Sequence, residues 1–228
     1  LPRIQDEGPR NDLVRVKVCG LTSISDALSA VEAGADWVGL NFHPTSPRRI
    51  DPTLAARIVA ALPSSCEAVG LFVNRPPSEI KRIANEVGFK IVQLHGNEPP
   101  TDLLELSSFR IIRAFRIGSV ESIDSMNSYV YTAATLGRAP DDVLVDAEVA
   151  GQFGGTGHSI STHLVSPLRE IPRLILAGGL TPLNVAERVR LFHPWMVDVA
   201  SGVESAPGVK DRALMARFVQ QARSTFES

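Results

Sequence analysis

Cysteine is nearly absent: Cys19 and Cys66 are the only two in 228 residues. Two thiols build no disulfide framework and their spacing fits no metal pattern, which excludes a secreted cystine scaffold and a zinc module. An excess of charge is missing as well, since 23 Lys+Arg against 25 Asp+Glu leave a net charge of -2. With an isoelectric point near 6.2, no overall field draws the chain to nucleic acid or to an anionic membrane, and neither is expected as a partner. No apolar run approaches the roughly 20 residues of a membrane span. The N-terminus lacks the basic-then-apolar layout of a secretory signal. No dinucleotide fingerprint and no His/Cys ligand cluster occur, so neither a redox cofactor nor a metal is expected. A reduced, cytoplasmic setting follows.

What is present is an ordinary globular composition, 44% hydrophobic and 21% charged. The length suits one large domain. Residues 1–12 are polar, carry Pro2, Gly8 and Pro9, and read as a flexible arm. From Leu13 to the end, β-like and helical stretches alternate. Val14–Val18 precedes a helical 25–33, Trp37–Phe42 precedes 52–62, Ala68–Val73 precedes 77–87, and Lys90–Leu94 precedes 99–106. Arg110–Phe115 precedes a helix starting near Ser119, Val143–Val145 a glycine-rich loop and a helix near 160–165, Leu174–Ala177 a helix over 182–191, and Met196–Ala200 a helix over 211–225. Asp51-Pro52 and Thr181-Pro182 each supply a helix cap and a first-turn proline. The stretch 131–142 reads as an enlarged loop on the stable side. About eight strand–helix units predict a closed (β/α)8 barrel over 13–228, with an open doubly wound sheet as the competing architecture.

Reactive side chains fall repeatedly at the C-terminal ends of the β-like runs. The first run delivers Cys19-Gly20, the sixth Asp146, the seventh Gly178-Gly179 and the eighth Ser201-Gly202. In a closed parallel ring these ends share one rim. Strand parity puts Val14, Val16 and Val18 on one face and Arg15, Lys17 and Cys19 on the other. The same alternation lets Lys17 meet Asp198 inside the barrel, where a structural ion pair is the plainer reading. Glycines bring backbone N–H groups close to a ligand, so the two pairs predict a phosphate cradle. Gly154 and Gly155, beside Asp146, add a third donor-rich loop. Cys19 reads either as a packed small residue or, once ionised, as a base.

Seven segments in order then carry a resemblance: Lys17-Val18-Cys19-Gly20-Leu21-Thr22, Gly70-Leu71-Phe72-Val73-Asn74, Val92-Gln93-Leu94-His95-Gly96-Asn97-Glu98, Leu144-Val145-Asp146-Ala147, Phe153-Gly154-Gly155-Thr156-Gly157, Leu176-Ala177-Gly178-Gly179-Leu180 and Val197-Asp198-Val199-Ala200-Ser201-Gly202-Val203-Glu204. The set resembles the phosphoribosylanthranilate isomerases of tryptophan biosynthesis, from Leu13 to near the end. The resemblance implies a cofactor-free (β/α)8 barrel acting on a small phosphosugar, N-(5-phosphoribosyl)anthranilate, by an Amadori rearrangement. It implies Cys19 as general base, Asp146 as general acid and Arg48 as holder of the anthranilate carboxylate, with the adjacent Arg49 a minor ambiguity. His95 and Asp198 match positions near the pocket, where secondary roles are equally open.

The implied chemistry sets opposite demands. A thiol must become partly thiolate, helped by Lys17 or helix N-termini, and a carboxyl must be held near pH 6–7, roughly 3–4 kcal/mol of environmental work. Two other readings remain at this point: a Schiff-base aldolase using Lys17, and a phosphosugar-binding barrel without turnover. An isomerase acting on related aminoaldose phosphates is a broader version of the first. The sequence leaves monomer and homodimer open.

Overall fold

The structure is a computed structural model that describes residues 13–146 and 162–224. Eight parallel strands close in chain order: β1 (Arg15–Cys19), β2 (Trp37–Asn41), β3 (Glu67–Phe72), β4 (Ile91–Leu94), β5 (Arg110–Arg116), β6 (Asp142–Asp146), β7 (Leu174–Ala177) and β8 (Met196–Val199). Pairing of β1 with β8, Lys17 against Asp198, shuts the ring. The expected barrel forms and the open sheet does not; closure pairs each of the eight strands on both sides.

Helices α1 (Ile24–Glu32), α2 (Pro52–Ala61), α3 (Pro77–Val87), α4 (Asp102–Glu105), α5 (Val120–Thr135), α6 (Thr162–Arg169), α7 (Val185–Phe192) and α8 (Arg212–Arg223) follow strands β1 to β8 in turn. Val14, Val16 and Val18 pack into the core between sheet and helices. Trp37, Val69, Ile91, Ile112, Leu144, Ile175 and Met196 form a separate apolar cluster filling the ring. The parity reading holds: the apolar face of β1 looks outward and its polar face inward. None of the helices among the described residues is long and apolar enough to cross a membrane.

Some boundaries differ from expectation for identifiable reasons. Asp51 caps α2 through Leu54 N, with Pro52 in the first turn, as expected. Thr181-Pro182 instead opens a separate turn, in which Thr181 Oγ1 accepts from Leu183 N and Asn184 Oδ1 from Thr181 N, and α7 starts only at Val185. Tyr131 to Thr135 are not loop. They extend α5, whose buried Met126 and Ala133 lie seven residues apart on one face. The chain after β8 turns through Ser201–Val203 into a small antiparallel hairpin, β9 (Glu204–Ala206) and β10 (Val209–Lys210), absent from the sequence reading.

Candidate active site

Lys17 Nζ donates to both carboxylate oxygens of Asp198, each at 3.0 Å. Lys17 is fully buried and Asp198 nearly so. Burial alone would lower the lysine, but Asp198 and the neighbouring Cys19 together outweigh it and hold the ammonium above the ordinary lysine range. An enclosed lysine kept protonated is a poor carbonyl nucleophile, which argues against the aldolase reading.

Cys19 ends β1, buried next to this pair. Burial pushes its thiol up, Lys17 and Lys210 pull it down, and Asp198 pushes it up again. The cationic help expected of Lys17 is therefore present, yet desolvation exceeds it and the resting group is a thiol. Gly39 on β2 makes the room, since a Cβ there would stand 2.6 Å from Cys19 Sγ.

Asp146 is the last residue of β6, in register with Arg116 on β5 and Ala177 on β7. His95 follows β4, its Nδ1 2.9 Å from the Nε2 of fully buried Gln93. Burial lowers the imidazole, while Asp146 and Asp198 act in the opposite sense. A cleft of about 410 Å³ opens over β3 to β5, lined in part by Val73, Asn74, His95, Phe115 and Arg116. Buried Glu98 ties its walls together by accepting from Asn74 N at 2.8 Å and Gly96 N at 2.9 Å.

Arg48, expected to hold the anthranilate carboxylate, is bound by Glu204: Nε donates to Oε1 and Nη2 to Oε2, both at 2.7 Å. Its stem lies over Gly20, where a Cβ would come within 2.5 Å of Arg48 Cδ and where φ is +77°. Arg49 points to solvent and is exposed. Lys210 Nζ donates to Glu204 Oε1 at 2.8 Å and to Ala200 O at 2.9 Å. Glu204 ends the seventh segment but had no role assigned to it, and Lys210 was not singled out; the Pro207-Gly208 pair was the one signal for the turn that folds them back.

The two expected glycine cradles abut. Gly178 and Gly179 have φ of +93° and +57°, and a Cβ on Gly202 would fall 1.8 Å from Leu180 O. Ser201 starts the turn beside it and is exposed. Gly154 and Gly155 lie outside the described residues.

Acid–base chemistry on a phosphorylated sugar is what such a rim is equipped for, which puts the chain in the class of phosphosugar-handling (β/α)8 enzymes. A family profile described as N-(5'phosphoribosyl)anthranilate (PRA) isomerase matches residues 16–221. The N-(5'-phosphoribosyl)anthranilate isomerase of Geobacter sulfurreducens is 44% identical over 211 residues, 92% of this chain and 99% of that one. The chain belongs to the N-(5'-phosphoribosyl)anthranilate isomerase family. Phosphoribosyl anthranilate isomerase from Thermotoga maritima superposes with a TM-score of 0.81 at 36% identity, covering 92% of this chain and 98% of that one. A solved family structure in complex with reduced 1-(o-carboxyphenylamino)-1-deoxyribulose 5-phosphate gives 0.80 at 35% identity, with the same coverage.

Proposed function

We propose that this chain isomerises N-(5-phosphoribosyl)anthranilate to 1-(2-carboxyphenylamino)-1-deoxyribulose 5-phosphate in tryptophan biosynthesis. One arrangement carries the reading. In the ring β7 and β8 lie between β6 and β1, so the abutting glycine loops are flanked by Asp146 on one side and Cys19 on the other. A sugar anchored there by its phosphate presents opposite faces to an acid and a base. Asp146 protonates the ring oxygen, the furanose opens to a Schiff base, and the Cys19 thiolate removes the C2′ proton. The enolamine then tautomerises to the ketone. Lys17 and Lys210 stabilise the thiolate when it forms, and a weakly acidic thiol yields a strong base. Arg48 receives the anthranilate carboxylate and Gly178, Gly179, Ser201 and Gly202 the phosphate, with Gly154 and Gly155 also assigned to substrate binding. His95, Lys17 and Asp198 support the acid and the base. The same reading sets the enzyme in a reducing cytoplasm, where Cys19 and Cys66 stay free thiols.

The test is the decay of substrate fluorescence with the purified protein, run beside a related aminoaldose phosphate. Consumption of the anthranilate compound alone is expected. Tight binding of the reduced product analogue with no turnover would instead make this a phosphosugar-binding barrel. Arg48→Ala is expected to act chiefly through KM, and an unchanged KM would remove the carboxylate role.

A further inference from the structure

A guanidinium has two edges that can each grip a carboxylate: the side edge of Nε with one Nη, and the end edge of both Nη atoms. Glu204 occupies the side edge of Arg48. Among the described residues no hydrogen bond reaches Nη1, and the Arg48 side chain keeps 24% of its surface exposed. The ion pair with Glu204 therefore leaves Arg48 half engaged, with its end edge open. We infer that Glu204 is a positioning residue for substrate: it clamps Arg48 by the side edge so that the end edge meets the aromatic carboxylate at a set distance from the phosphate cradle. The inference rests on the carboxylate role proposed for Arg48.

Three features support it. The Glu204 side chain is 5% exposed and also binds Lys210, whose own side chain is fully buried. Lys210 in turn holds the carbonyl of Ala200, the residue just before Ser201-Gly202. One carboxylate thus links the arginine to the loop that cradles phosphate. Second, the hairpin carrying both residues is pinned from two sides. Thr22 Oγ1 donates to Gly208 O at 2.7 Å, and a Cβ on Gly208 would lie 2.8 Å from Pro47 O, next to Arg48 in the chain. Third, two cations against one carboxylate leave a positive charge uncompensated, suited to a substrate carrying both a carboxylate and a phosphate. An arginine fixed this way loses little rotamer freedom on binding.

The experiment compares affinity for two probes: the reduced product analogue, and the same compound with aniline in place of anthranilate. Their Kd ratio reports recognition of the carboxylate alone. Glu204→Gln is expected to shrink the ratio by ~10-fold or more, Arg48→Met to abolish it, and the double variant to match Arg48→Met. Lys210→Met breaks the buried contact but spares the Arg48 clamp, so the ratio should persist. If Glu204→Gln alone fails to fold, Glu204→Gln with Lys210→Met removes both buried charges and should show the same reduced ratio. An unaltered ratio in Glu204→Gln, or a further loss of affinity in the Arg48→Met background, overturns the inference and spares the Arg48 role. An unaltered ratio in Arg48→Met overturns both.

Discussion

Cys19 and Cys66 are both buried thiols, but their neighbours set them apart. Around Cys66, burial comes first and Asp36 and Glu67 add to it, pushing the thiol up to about 12. Its raised value stabilises the fold at low pH, and that contribution is lost as pH rises past the ordinary value of 9.0 toward 12. Cys66→Ala should flatten the decline of stability in this window, measured by denaturant melts from pH 8 to 11. Cys19 has Lys17 and Lys210 to offset part of the same desolvation. In the proposed mechanism the thiolate is the working form, so kcat/KM should climb with pH beyond 7, and Cys19→Ser should lose that climb along with at least ~10²-fold in kcat. Asp146→Asn should lower kcat by a similar factor; near-normal turnover in either variant would remove that residue from the mechanism. Lys17→Met removes the ammonium and exposes the thiol to uncompensated Asp198, so the pH profile of Cys19 alkylation should move up.

Among the elements, local chemistry was legible where the chain itself closes the contact. Asp51-Pro52 marks a helix start because the accepting cap carboxylate and its Leu54 N–H donor are only three residues apart. Thr181-Pro182 carries the same signal but opens a turn, because Asn184 competes for the cap and reaches back to Thr181 N and Gly179 O. The end of α5 was missed because its Thr132 and Thr135 hydroxyls bond back to carbonyls four residues earlier, a helical solution that polar composition disguises. The β9–β10 hairpin is too short for periodicity to reveal. It nonetheless holds Glu204 and Lys210, and its seat depends on Gly208, which has φ of +82°. Gly208→Val should lift the hairpin from Pro47 and raise KM more than it lowers kcat. Gly202→Ala should wedge the two cradle loops apart at Leu180 O, and inhibition by inorganic phosphate should weaken by ~10-fold or more, about 1.4 kcal/mol.

For the whole molecule, the two ends of the barrel divide the labour. Opposite the active-site mouth, fully buried Asp142 binds Arg110 at 2.7 Å and Arg173 at 2.8 Å. Arg173 also covers Trp195, which meets Trp37 edge-on at 5.4 Å. Asp142→Asn strands two cations. Both arginines are about a third exposed, so the loss should be roughly 2–3 kcal/mol, below the ~3–5 of a fully buried pair. That corresponds to a Tm lower by roughly 5–10 °C, with KM unchanged because the site lies at the other end. A calorimetric scan with parallel kinetics checks both halves of the expectation.

The order of strands and helices, the inward face of β1 and the placement of Cys19, Asp146 and the paired glycines at strand ends were legible in the sequence, because alternation, turn residues and residue type are local properties of a chain. Closure of the ring decided the rest. It brought about the Lys17–Asp198 pair that strand parity had allowed, 181 residues apart, and it set Arg48 against Glu204, 156 away, which no local pattern foretold. Such partners are chosen by where the strands end in space, and desolvation, which makes Cys19 a thiol at rest, exists only once the surrounding walls have closed.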